Sequence, residues 1–444
     1  MPEQRGAHAV AVRGDEADLA ARLRSAACAD HVLAGAVRDA ATHARAGRRR
    51  LDAIHAEIRV ADPWAPVLGT PAGARQFQLF LAAKAREISR VVADAGADNR
   101  FQTARLFSTG VGYGMPARVR DRINRQALAD DLRRVETATS AISAADMVRY
   151  ENALRVREGL AVSDGAEVLL LTYEPAAFGG RGRAAIAIGD PDTADNTTVL
   201  VPGAHSSVRD GYLSHPDGRN VYREVARADP ERTNSVVVWM GYRAPDSLAD
   251  PAVAQPAAAR AGGRLLAADV ESLVASHIGA SHITVIGHSY GSTTVADAAA
   301  SAGLRADDVV LVGSPGTDLA RSANDFHLPA GGHVYVGAAS FDPITGFAGQ
   351  PQLSLPGSSA PIGLGVDPAA DGYGSTRFKA ETRWPMRGHS SYFDPGGESL
   401  FSIGDIASGH GDALANHHMT ALHRRALPAF DPERLRPGTG NHRH

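Results

Sequence analysis

Val285-Ile286-Gly287-His288-Ser289-Tyr290-Gly291-Ser292, followed by the small-residue run 293–300, decides the fold. The string contains Gly-x-Ser-x-Gly. Alone, that pattern is weak, because glycine and serine are common in the chain. Its context gives it weight. A β-branched apolar run precedes it and an alanine-rich helical run follows, so Ser289 falls at a sharp strand-to-helix turn above the end of a sheet. Gly287 and Gly291 let neighbouring backbone approach where a Cβ would clash. The following helix turns N–H groups and a positive dipole end toward any oxyanion formed at Ser289.

Outward from this turn, short apolar runs recur: 168–173, 184–188, 198–201, 235–240, 282–286, 309–312 and 334–337. The first two, joined by Gly179-Gly180-Arg181-Gly182, predict a hairpin. The others are apolar on both faces and alternate with helical segments such as 257–278, which predicts a parallel sheet buried on both sides. Residues 378–383 are the predicted last strand. Residues 346–385, rich in Gly, Pro and Ser, read as a long irregular loop.

A serine hydroxyl needs a base, and the base needs an orienting acid. Behind an elbow of this kind the order along the chain is Ser, then Asp or Glu, then His. Asp342, just past the run 333–341, is the predicted acid, with Asp318 as the alternative. His389, in Arg387-Gly388-His389-Ser390-Ser391-Tyr392-Phe393, is the predicted base, ahead of His410, His417 and His418. Two N–H donors are needed for the oxyanion. Tyr290 supplies one. Ala204 is the predicted second, with His205 as the alternative, in the loop Pro202-Gly203-Ala204-His205. The substrate mouth is placed among loops 205–212, 242–248 and 346–385, with His205, His288, Tyr242 and Phe341 as substrate-facing side chains.

Several strings together resemble an actinobacterial α/β-hydrolase family of unknown function. They are Gly287 to Ser292, the segment Gly189-Asp190-Pro191-Asp192-Thr193-Ala194-Asp195-Asn196 leading into Val199 to Gly203, Trp239-Met240-Gly241-Tyr242, and Val312-Gly313-Ser314-Pro315-Gly316. Pro116, Val119, Arg120, Asp121, Asn124 and Arg125 belong to the same pattern. The resemblance covers about residues 110–400. It implies the α/β-hydrolase fold, a mostly parallel twisted sheet flanked by helices, and a serine hydrolase triad of Ser289, His389 and Asp342. It implies no substrate. The lead into the oxyanion loop departs from the family's Gly-rich form, which leaves the second donor open between Ala204 and His205.

Residues 1–160 read as a helical N-terminal region and 161–444 as the α/β-hydrolase domain. Asp15 predicts a helix start, Pro63-Trp64-Ala65-Pro66 a break, and Phe77 to Val92 a second long helix, together a helical hairpin. Secreted WXG-type hairpins share that outline but carry Trp-x-Gly at the turn. Further helices are predicted from Pro116 and over 127–160. Gly110, Gly112 and Gly114 read as a connector.

The composition narrows the function classes. The chain has 444 residues, 46 Lys plus Arg against 49 Asp plus Glu, and a single cysteine, Cys28. A net charge of −3 argues against a dedicated nucleic-acid binder. One cysteine excludes an intramolecular disulfide framework. No apolar run is long enough to span a membrane, and no secretory signal is seen, so a cytoplasmic location is expected, with export lacking a cleavable signal left open. Asp190, Asp192 and Asp195 lack the spacing of a calcium loop. His410, His417, His418, His423, His442 and His444 crowd the end of the sequence without His-Glu-x-x-His spacing, so neither a metal site nor a cofactor is expected. The expected activity is cleavage of a small-molecule or lipid-like acyl ester. The alternatives are acyl transfer or peptide hydrolysis on the same triad, or a non-catalytic interaction module. The N-terminal helices are candidates for self-association or partner docking.

Overall fold

The computed structural model describes residues 41–42, 44–59, 69–108, 114–161, 165–247, 250–349, 353–354, 361–362, 364–382, 385–426, 429–436 and 439–444. The helix expected from Asp15, the turn at Trp64 and the glycines at 110 and 112 lie outside them. The chain divides into two compact units, Met1–Gly114 and Met115–His444.

In the first unit residues 44–59 are helical, and helix α1 spans Pro71–Ser108. Ile54 and Val91 are buried, and Lys84 pairs with Glu57 and, at 3.1 Å, with Glu87.

The second unit is built on an eight-stranded sheet: β1 (Val168–Glu174), β2 (Arg183–Ile188), β3 (Asn196–Val201), β4 (Asn234–Met240), β5 (His282–His288), β6 (Asp308–Val312), β7 (Val334–Gly337) and β8 (Thr376–Phe378). Their spatial order is β1-β2-β4-β3-β5-β6-β7-β8. β2 pairs antiparallel with β1 and β4, and all other pairs are parallel. Side chains alternate between the faces, as the two-residue period of a strand requires. Val199, Val285, Val309 and Leu311 face one core, with helices α2 (Ala117–Glu136), α3 (Ala144–Leu160), α5 (Ala257–Ser276) and α6 (Tyr290–Ala302). Leu200, Ile286, Val310 and Val312 face the other, with α4 (Pro216–Ala228) and α7 (Glu398–Ala407).

The compact unit begins at Met115, not at 161 as the sequence predicts. The reason is polar docking on β1. Asp121 accepts from the Leu170 N–H at 2.7 Å, Asn124 donates to the Leu170 carbonyl at 2.9 Å, and Arg125 donates to the Val168 carbonyl at 2.6 Å. These side chains satisfy an edge strand that would otherwise stay open. Asp192, expected in a solvated loop, is buried and accepts from the Ala117 N–H at the start of α2. The helix expected over 127–160 is broken at 137–143. Thr137 bonds back to the Arg133 carbonyl at 2.8 Å, and Ser143 caps α3 by accepting from the Asp146 N–H at 3.1 Å, the usual preference of hydroxyl side chains for helix ends.

The last strand also lies earlier than the sequence predicts, at Thr376–Phe378, and it carries an arginine in the core. Arg377 is 1% exposed. It holds both Asp431 oxygens at 2.9 Å and the Ala338 carbonyl at 2.8 Å. Arg377→Leu removes one partner of a buried pair and leaves Asp431 with Arg424 alone. The expected loss is about 3 kcal/mol of stability, read from the urea midpoint.

Candidate active site

The strand order reverses at β3. The chain leaves it toward β4 on one side, and β5 lies on the other. In open α/β sheets ligands gather at the carboxyl ends of the strands at such a reversal, here β3 and β5. Ser289 follows β5 directly, at φ 55° and ψ −129°, a sparsely populated conformation for a residue with a Cβ. Its N–H donates to the Val312 carbonyl at 2.9 Å, and the Ser292 hydroxyl bonds its carbonyl at 2.6 Å. The turn works only with glycines. A Cβ on Gly287 would lie 2.5 Å from Ser292 Cα, and one on Gly291 would lie 2.4 Å from the Val201 carbonyl oxygen.

Three predicted residues meet here. His389 Nε2 is 2.9 Å from Ser289 Oγ. His389 Nδ1 is 2.9 Å from Asp342 Oδ2 and 3.1 Å from Oδ1. The Asp342 side chain is fully buried, while that of His389 is 21% exposed. Asp342 also accepts from the Tyr392 hydroxyl and the Ile344 N–H, both at 2.8 Å. Burial alone would raise the Asp342 carboxyl. The hydrogen bond and charge of His389, with the Tyr392 and Ile344 donors, bring it below the usual carboxylate range.

The loop after β3 passes against Ser289. A Cβ on Gly203 would lie 2.5 Å from Ser289 Cβ and 2.9 Å from its Oγ. The His205 N–H donates to the Pro245 carbonyl at 2.9 Å, so it is already spent. Among the described residues, the Ala204 and Tyr290 N–H groups have no such acceptor. The Tyr290 side chain points away from the site and is buried, its hydroxyl accepting from the Ala259 N–H at 3.1 Å.

The four side chains expected to face substrate part company. His205 is exposed beside the β3 loop, with Nδ1 3.1 Å from the Asp246 carbonyl. Phe341 is 54% exposed, next to the acid, with the Arg434 guanidinium 5.8 Å from its ring centre. Tyr242 does not reach the mouth. It is buried, lies 5.8 Å from Trp239 in a stacked arrangement, and donates its hydroxyl to the Pro202 carbonyl at 2.7 Å, bracing the β3 loop. His288 packs beneath the triad, with Nε2 2.8 Å from the His389 carbonyl and its ring 5.0 Å from that of His389. Burial, then the neighbouring His389, pushes the His288 imidazole down to about 4. It is neutral at pH 7, so its Nε2–H can donate to that carbonyl. Of the alternatives, Asp318 is tied to Arg260 at 2.6 Å and His417 to Asp405 at 2.7 Å.

Sequence reasoning missed three supports. Tyr392 joins the acid to its strand, since its hydroxyl also accepts from the Ala339 N–H at 3.1 Å. Gly313, at φ 60°, leaves room for the triad: a Cβ there would lie 3.2 Å from both Asp342 Oδ2 and His389 Nδ1. Arg424 grips the loop of the acid through the Thr345 hydroxyl at 2.8 Å, and Thr345 in turn donates to the Asp342 carbonyl at 3.0 Å. Positive φ makes Gly313 a candidate from its turn context, but nothing local marks Arg424.

Comparison with known proteins agrees with the sheet. Residues 179–353 match a family described as alpha/beta hydrolase, and residues 5–118 match a domain of unknown function, DUF4226. An uncharacterized protein of Mycobacterium tuberculosis is 48% identical over 329 residues, 69% of this chain and 50% of that protein. The chain thus spans about half the length of the curated relatives it matches. Among solved structures, carboxyl esterase 2 from Tuber melanosporum is 13% identical with a TM-score of 0.32, covering 56% of this chain and 89% of that one. Naproxen esterase from Bacillus subtilis is 17% identical with a TM-score of 0.25, covering 40% and 53%. Likeness at that level carries no argument about activity. Among the described residues no helix is long and apolar enough to cross a membrane.

Proposed function

Because the chain belongs to an α/β-hydrolase family, we propose that it is a serine hydrolase that cleaves carboxylic esters through an acyl-enzyme. The observation that carries this reading is the unbroken hydrogen-bonded line from Ser289 Oγ through His389 to the buried Asp342. In this reading His389 Nε2 takes the Ser289 proton as Oγ attacks the ester carbonyl. The imidazolium that forms keeps its Nδ1–H on Asp342, whose carboxyl is already held ionised. Tyr290 and Ala204 N–H groups receive the oxyanion. The tetrahedral intermediate collapses, His389 returns the proton to the leaving alcohol, and an acyl group stays on Ser289. Water activated by the same histidine then releases the acid. Gly203 supports this reading, because its bare Cα lets the β3 loop, which carries Ala204, pack against Ser289.

Intact-mass analysis after treatment with a fluorophosphonate tests the nucleophile. One adduct is expected on the native chain and none on Ser289→Ala. A folded native chain that takes no adduct would remove the proposal. Acyl esters of graded length would then define the substrate, and added alcohol or amine would reveal acyl transfer.

A further inference from the structure

A second cluster of reactive side chains lies apart from Ser289, His389 and Asp342, between α4, α7 and the segment that carries His444. Asp405, buried on α7, presents one carboxylate oxygen to each of two histidines. Its Oδ2 is 2.7 Å from His417 Nδ1, and its Oδ1 is 2.9 Å from His444 Nε2. The three ligand atoms lie within 4.8 Å of one another. We propose that Asp405, His417 and His444 bind a divalent cation of the zinc class, with solvent completing the coordination.

Two observations raise this above a chance meeting of a carboxylate with histidines. The first is the support behind His444. Its Nδ1 is 3.0 Å from Glu224 Oε1, a buried carboxylate on α4 that Arg227 also holds at 3.0 Å. A carboxylate on one ring nitrogen fixes the proton there and directs the other nitrogen's lone pair at the metal, the arrangement that orients histidine ligands in zinc sites. Phe401 holds the ring from its face, stacked at 3.9 Å with planes 2° apart. The second is the donor chemistry. Two imidazole nitrogens and one carboxylate suit zinc and its neighbours and are too nitrogen-rich for calcium or magnesium. Bonds of about 2.1 Å in a tetrahedron separate ligand atoms by ~3.4 Å, so the contacts to Asp405 need to open by about 0.5–0.7 Å and ligand atoms farther apart than that, all within 4.8 Å, need to close. His417, with 42% of its side chain exposed, keeps the fourth position open to water.

Binding would release the His444 Nε2 proton, change no oxidation state and use none of the triad residues. It would clip α4 to α7, the helices that follow the loops carrying Ala204 and His389. The sequence hides this site because the four residues are scattered over positions 224, 405, 417 and 444, with no motif spacing.

The test is titration of the full-length, tag-free, EDTA-stripped chain with zinc chloride, followed by calorimetry, with bound metal counted by mass spectrometry. One zinc per chain is expected. Glu224→Gln, which keeps the side-chain shape but not the charge, is expected to weaken binding 10- to 100-fold. His417→Ala, at a half-exposed position, is expected to weaken it at least as much with unchanged circular dichroism. His418→Ala and His442→Ala are expected to bind as the native chain does. Failure of the native chain to take up one equivalent would overturn the proposal. So would unchanged affinity in both His417→Ala and His444→Ala, because uptake would then belong to other histidines.

Discussion

Asp342→Asn is expected to lower kcat toward an acyl ester about 10⁴-fold with little change in KM. The amide keeps the volume, and its one carbonyl oxygen can still accept from the Ile344 N–H, which bonds Oδ1, while the Tyr392 hydroxyl loses its acceptor at Oδ2. The amide can also turn its NH₂ toward His389 Nδ1. That selects the tautomer with the proton on Nε2, the nitrogen 2.9 Å from Ser289 Oγ, and a protonated nitrogen cannot serve as the base. Steady-state kinetics and the rate of fluorophosphonate labelling should fall together. The pH dependence of stability gives a second readout. The folded Asp342 carboxyl lies below its unfolded value of about 3.9, so ionised Asp342 adds stability above that pH. The contribution is lost as pH falls through the depressed folded value. The stability difference between the native chain and Asp342→Asn should therefore be flat from about pH 5 to pH 8 and shrink below about pH 4. Wild-type kcat in Asp342→Asn would assign the orienting role elsewhere.

Gly203→Ala is the second large effect. The new methyl would sit 2.5 Å from Ser289 Cβ, 2.9 Å from Ser289 Oγ and 2.9 Å from the His288 carbonyl oxygen. None of these is the far end of a flexible chain, so the β3 loop must retreat. The Ala204 N–H would retreat with it. Loss of one oxyanion donor costs about 10²- to 10³-fold in kcat. Overpacking adds about 1–3 kcal/mol of destabilisation, seen in the thermal midpoint. Reduced stability with unchanged kcat would separate the two consequences and remove Ala204 from the reaction.

The strand-to-helix turn at Ser289 is legible in the sequence because three local signals coincide there: a β-branched run, close glycines and a small-residue helix. Chain order then brings Asp342 and His389 into view, because each follows a segment with strand character. Side-chain direction is not legible in the same way. Tyr242 follows β4 and His288 ends β5, yet their rings turn inward, since the space beneath the β3 loop and the His389 loop must be filled by something large with a donor to spare. Arg377 is hidden for a related reason: its charge reads as solvent-facing until Asp431, 54 positions later, is seen to neutralise it in the core. The boundary at Met115 rests on Asp121, Asn124 and Arg125, polar residues that look like a solvated helix face until β1 is placed beside them.

The sequence separations among Ser289, His389 and Asp342 set a condition on the proposed reactivity. His389 must close a loop of 47 residues to reach Asp342 and one of 100 to reach Ser289. The β3 and β5 neighbours on which Ser289 stands are separated in the chain by β4, which pairs on the far side of β3. Loop-closure entropy is spent on all of these before the contacts repay it. On the proposed mechanism, an activated serine therefore requires all of these long-range contacts at once. On that mechanism, reactivity at Ser289 would report the completed weave of the sheet.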